Sequence, residues 1–210
     1  MRMFKRLAVA VAAAGVSLVM AGGVASASTA SVKPHCPAPS VVRLTGGETT
    51  LTTAPGIAAA LLGHGIVPLA ILPGTAGASV SASGVAVRFG FPVTGGVVNL
   101  SKLTGAIDHR GGILFIDSAN GKKIEVSDFV INLKQLVLTA IVNGNPKARV
   151  PLLSLSLAHA KVSASKHAAA VSGIVARLTK TAAAALDATF GTSLFTPGLE
   201  LGTAATVVRF

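Results

Sequence analysis

Tryptophan and tyrosine are missing from this chain of 210 residues, which has eight Phe and a single Cys, and its seven Asp and Glu face eighteen Lys and Arg. So few aromatic rings leave little to stack on bases or grip sugars. Beyond residue 27 the basic residues are dispersed, with Lys122-Lys123 the one adjacent pair, so no stripe tracks a phosphate backbone and nucleic acid is not a partner. A lone cysteine cannot close an internal disulfide. Only 12% of residues are charged while 51% are apolar and 23 are Gly, which excludes a disordered chain and a coiled coil. The length suits one domain with a real core.

What is present begins with a secretory pattern. Arg2, Lys5 and Arg6 form a basic start, Leu7 to Met20 an apolar run, and Ala25-Ser26-Ala27 a small-residue cleavage site, predicting a cut between Ala27 and Ser28. The run is too short for a comfortable membrane span, so the processed chain is not transmembrane. Residues 28–40, with Pro34, Pro37 and Pro39, read as a flexible Pro-rich tether before a single β-rich domain at 41–210. Cys36 in that tether is free for an intermolecular disulfide. Once the leader's three basic residues are removed, fifteen basic against seven acidic residues leave a formal charge of +8, which would hold an exported protein near anionic cell-wall polymers or membrane, so the expected location is extracellular, at the cell envelope.

From Val41 short β-like runs alternate with Gly and Asn turns. Ile113 to Ile116 and Lys123 to Leu133 flank Asn120-Gly121, a hairpin signal because both residues tolerate positive φ. Gln135 to Val142 follows, then the turn Asn143-Gly144-Asn145-Pro146, then Ala148 to Leu157. Leu153, Leu155 and Leu157 alternate with Ser154 and Ser156, one face inward. The run through Leu136 to Val142 is apolar on both faces, which predicts a strand covered twice. The fold class is therefore mainly β, an antiparallel two-layer sandwich or flattened barrel with two short helices. Thr53 would cap the first helix, over Ala58 to Leu62, and Thr179 the second, over Lys180 to Phe190 with Gly191 as its stop.

Catalytic constellations are absent: no nucleophile elbow, no zinc-protease motif, no phosphate loop. Ser163-Ala164-Ser165-Lys166 matches the serine and lysine of certain acyl-transferases without their partner motifs, and reads as a polar loop. The expectation is a non-enzyme. An envelope hydrolase would need carboxylates brought together from distant strands.

The most distinctive stretch is Gly105 to Phe115, where His109 stands between Asp108 and Arg110 ahead of Gly111-Gly112. Together with Phe89 to Gly96 and Leu178 to Gly198, it resembles the HtaA-type domain of exported haem-uptake proteins in high-GC Gram-positive bacteria, over most of residues 48–208. The resemblance implies a β-rich fold with two short helices, and haem as a cofactor bound by a tyrosine near the first helix and assisted by a histidine. His109 matches that histidine. The tyrosine has no counterpart, and His64, directly after the first helix, is the substitute iron ligand. His64, His109 and Phe115 are thus the expected ligand-binding residues. The leading expectation is an envelope domain that binds an apolar ligand or an envelope partner, with haem capture as the alternative.

Overall fold

The computed structural model describes residues 41–81 and 84–210. The signal-like segment 1–27 with its Ala27/Ser28 junction, the tether 28–40 and Cys36 lie outside the described residues. The strands are β1 (Val41–Arg43), β2 (Gly46–Thr53), β3 (Ile66–Ile71), β4 (Thr75–Ser81), β5 (Gly84–Asn99), β6 (Thr104–His109), β7 (Gly112–Asp117), β8 (Lys123–Asn132), β9 (Val137–Val142), β10 (Asn145–Ser156), β11 (Lys161–Ala164), β12 (Ala168–Leu178) and β13 (Glu200–Arg209). Helix α1 (Ile57–Gly63) follows β2 and α2 (Lys180–Phe190) follows β12.

Eight of these strands form a closed antiparallel ring, in the order β5, β2, β13, β12, β10, β9, β8, β6 and back to β5. Two long strands change partner along one edge. β8 pairs with β7 over its first half and with β6 over its second; β5 pairs with β4 and then with β6. β3 extends the β7 side, and the outer strands β1 and β11 lie on β5 and β12. The ring closes within residues 46–209.

Of the two expected forms, the structure takes the barrel, and the two-layer sandwich is corrected. β9 explains why both fitted the sequence. Its inward side chains, Leu138, Ala140 and Val142, meet the far wall of the same sheet, and period-two alternation cannot distinguish that wall from a second sheet. Its outward side chains Val137, Thr139 and Ile141 are half-buried.

Both helices sit at the same end of the barrel, because each follows a strand that runs towards that end. α2 forms as its sequence predicts: the Thr179 hydroxyl accepts from the Ala182 amide at 3.2 Å, and Gly191 ends the helix at φ 68. Its buried Ala182, Ala183, Leu186 and Phe190 close the end over Ile66, Leu153 and Leu178. α1 corrects the expectation. Thr53 stays in β2, where its hydroxyl accepts from the Val87 amide at 2.9 Å, and Gly56 at φ 84 starts the helix without a side-chain cap. A second cluster, including Val42, Val93, Val98, Ile107, Ile131 and Val208, fills the opposite end. No described helix is long and apolar enough to cross a membrane.

Candidate functional site

The barrel interior contains one polar chain, and a bulge creates it. β8 changes partner between Ser127 and Val130, with Asp128 held at φ 48, and this interruption leaves the Phe129 carbonyl outside the ladder. A buried carbonyl needs a donor. His109, the last residue of β6, supplies it: Nδ1 lies 3.2 Å from that oxygen. The carbonyl can only accept, so the proton is on Nδ1 and Nε2 accepts. Nε2 receives the Thr49 hydroxyl at 2.7 Å, and Thr49 in turn accepts from the Thr206 hydroxyl at 2.9 Å. Thr49 and Thr206 are directly opposed on β2 and β13. All three side chains are buried.

Burial pushes the pKa of His109 below the usual histidine value, outweighing the Phe129 carbonyl and the Asp108 charge, which act upward. The ring is therefore neutral, with both nitrogens occupied. Iron binding at Nε2 would require breaking the bond to Thr49. The corner beside His109 is held by Gly111 at φ 87, whose missing Cβ would meet the Gly74 amide nitrogen at 2.6 Å and the Ile71 carbonyl at 2.8 Å. Only glycine brings the β6 to β7 corner so close to the turn between β3 and β4. Outside this corner a shallow cleft is lined by Asp108, Arg110, Asp128 and Arg149, and the Arg149 guanidinium donates to the Asp128 carbonyl at 2.8 Å.

The other expected residues lie apart from this chain. His64 is exposed at the C-terminus of α1, beside exposed Leu62. The β3 and β7 ladder runs from Ile66 opposite Asp117 to Ile71 opposite Gly112, which puts His64 and the His109 corner at opposite ends of a span of about 17 Å. Phe115 points inward from β7 and lines a cavity of about 80 Å³ with Leu51, Phe91 and Leu186, between the polar chain and the helices. The structure brings neither His64 nor Phe115 onto the ring of His109. Among the described residues no group of three or more His, Cys, Asp or Glu could hold a metal ion.

A larger chamber lies at the end away from the helices. It has a volume of about 280 Å³ and an apolar lining, with Thr206 of the buried chain in its wall. Its mouth is built by two turns that share a sequence. Asn99-Leu100-Ser101-Lys102-Leu103 joins β5 to β6, and Asn132-Leu133-Lys134-Gln135-Leu136 joins β8 to β9. In each, the Asn side chain accepts from the backbone amide three residues on, at 2.9 Å from Lys102 and 3.0 Å from Gln135. In each, the second Leu is left-handed, φ 49 at Leu103 and φ 52 at Leu136. All four leucines line the chamber. Leucine is a costly choice at positive φ, where Asn or Gly is at ease. These residues were not among those expected from the sequence, although the repeated Asn-Leu-x-x-Leu was there to be found.

No protein-family model matches the chain, and no curated protein matches it. Among solved structures, the C-terminal domain of HtaA from Corynebacterium glutamicum superposes with a TM-score of 0.51 at 17% identity, covering 78% of this chain and 98% of that domain. A domain-swapped dimer of a histidine-to-alanine variant of that domain gives 0.46 at 19% identity, covering 74% and 93%. The heme-binding protein HtaB from the same organism gives 0.42 at 10% identity, covering 81% and 97%. The ring of eight strands with both helices at one end is thus an HtaA-like fold.

Proposed function

We propose that this is an exported, non-catalytic binding domain of the cell envelope that takes a small apolar ligand into the chamber at the end of the barrel away from the helices. The observation that carries the proposal is the mouth itself: two like turns, each with a leucine in a strained left-handed conformation, converge on one apolar chamber. Strain of this kind, about 1 to 3 kcal/mol per residue, is retained where surrounding structure imposes it and is common at ligand sites. A volume of about 280 Å³ lies at the lower edge of the range for small-molecule sites. The signal-like N-terminus supports export.

The test is titration with a fluorescent long-chain acyl probe. The wild-type chain should show saturable uptake, and filling the chamber with Val171→Phe should abolish it while the melting temperature stays within a few degrees. If Val171→Phe does not fold, Ala169→Leu serves the same purpose. Absence of saturable uptake by the wild type refutes the proposal.

Haem capture is the second reading, favoured by the exposure of His64 beside Leu62. Its test is the visible spectrum on adding hemin. A stoichiometric Soret shift that survives His109→Ala and is lost in His64→Ala assigns the iron to His64; no specific shift rejects haem.

A further inference from the structure

The charges are unevenly distributed over the barrel. None of the seven acidic residues, Glu48, Asp108, Asp117, Glu125, Asp128, Asp187 and Glu200, lies in segments 97–107, 129–138 and 153–175, which supply most of the chamber's lining; the wall also includes Thr206 and Val208 of β13, and exposed Glu48 stands opposite Val207 there. Those same segments carry Lys102, Lys134, Lys161 and Lys166, all exposed. Lys102 and Lys134 sit in the two like turns, and Lys161 and Lys166 flank the edge strand β11 and its hairpin. Apolar side chains project among them. Leu103 is 45% exposed and Val162 59%, and Leu136 is half-buried beside them at the mouth. A protruding apolar tip inside a cationic collar, with no carboxylate in the turns and hairpin that carry it, is complementary to a surface with anionic groups outside and hydrocarbon beneath.

We infer that the chamber end of the barrel docks on an anionic lipid bilayer, with Leu103, Leu136 and Val162 entering the interface and the four lysines meeting lipid phosphates. The same contact would place the chamber mouth at the source of an apolar ligand. Docking does not rest on that ligand reading, because it needs only the lysines and the exposed parts of Leu103, Leu136 and Val162, although those three residues also line the chamber. A chain that docks but takes up no probe leaves this inference standing and removes the other.

The experiment is co-sedimentation of the chain beginning at Ser28 with phosphatidylglycerol and phosphatidylcholine vesicles. The apolar leader is left out because it would itself partition into lipid. Binding should favour phosphatidylglycerol and weaken as salt rises. Two charge reversals of equal size then separate a local collar from the overall charge. Lys102→Glu with Lys134→Glu should weaken binding by at least about tenfold. Lys122→Glu with Lys123→Glu alters the opposite end of β8, about 30 Å away, and should change it less than about twofold. Leu103→Asn with Leu136→Asn removes the apolar tip while relieving the positive φ, so the barrel remains folded and vesicle binding should fall. Equal binding to both lipids, equal loss from both charge pairs, or full binding by the double Asn variant each overturns the inference. Failure to bind vesicles together with a concentration-dependent dimer abolished by the double Asn variant also overturns it, and assigns the face to a second copy of the chain.

Discussion

Acid should destabilise the barrel through His109, by an amount whose ceiling can be worked out. The folded ring is buried and neutral, its pKa lowered chiefly by desolvation. In the unfolded chain a histidine titrates near about 6.5. Between that value and the lower folded one, the unfolded state carries the extra proton, so stability rises with pH across the window. The contribution is fully present above the unfolded pKa and is lost as pH falls towards the folded pKa. The unfolded pKa alone sets a ceiling on the loss: at about pH 5.5 it cannot exceed RT ln(1 + 10), or about 1.4 kcal/mol, reached only if the folded ring takes no proton, against almost nothing at about pH 7.5. Without Trp or Tyr the chain offers no useful fluorescence, so urea unfolding is followed by far-ultraviolet circular dichroism. With a urea slope of about 2 kcal/mol per molar, the midpoint shifts downward by at most about 0.7 M. Every other group titrates in the same pH interval too, and the His109→Gln variant removes this background by subtraction. The wild-type loss should exceed the variant loss, by no more than about 1.4 kcal/mol. Equal losses to within about 0.3 kcal/mol would refute the reasoning, because the ring would then accept a proton in the fold as easily as in water.

Three further outcomes follow from the same geometry. Thr49→Val leaves Nε2 of His109 without its donor and should cost about 1 to 3 kcal/mol in urea unfolding, with a smaller cost in a Thr206→Val background, since the two hydroxyls share one chain. Thr179→Ala removes the hydroxyl that caps α2 and should lower stability by about 1 kcal/mol, while Thr53→Ala leaves the helix content of α1 unchanged because Thr53 is not its cap. Gly111→Ala combines a left-handed backbone with a Cβ driven against the β3 to β4 turn, and should cost at least about 2 kcal/mol or prevent folding, as read by thermal melting.

The sequence was most legible where one residue determines local geometry. Asn120-Gly121 and Asn143-Gly144 set their turns through backbone conformations that few other residues accept, and Gly121, Asn143 and Gly144 adopt positive φ in the structure. Thr179 and Gly191 likewise mark the two ends of α2. The start of α1 was misread because a threonine before an Ala-rich run fits two roles, and sheet pairing to Val87 took the hydroxyl that a helix would have used. The choice between a closed barrel and a sandwich was not legible. It depends on β6 bridging β5 and β8 and on partner changes along those two strands, marked in the structure by register shifts at Val93/Gly95 and at Ser127/Val130. The chamber was missed for a related reason: its four leucines are ordinary until two distant turns are found to be alike.

Likeness of fold does not by itself carry the haem reading over to this chain. The residues that carry the likeness are mainly glycines, small residues and turn formers, which dictate backbone path and hence architecture; a ligand site depends on a few side chains that the path only positions. His109 is the histidine on which the sequence resemblance turns, and in the structure the bulge at Phe129 and the Thr49 hydroxyl use both its nitrogens inside the barrel. Its role here is to satisfy a carbonyl that the partner change of β8 exposes, which makes it a structural requirement of the closed ring with or without a ligand. His64 is open to solvent but stands at the far end of β3 and β7 from it. The features with the least structural justification are instead Leu103 and Leu136, each strained, each partly exposed, each replaceable by Asn at no cost to the turn. A binding role is therefore better sought at the leucine-lined mouth than at the histidine.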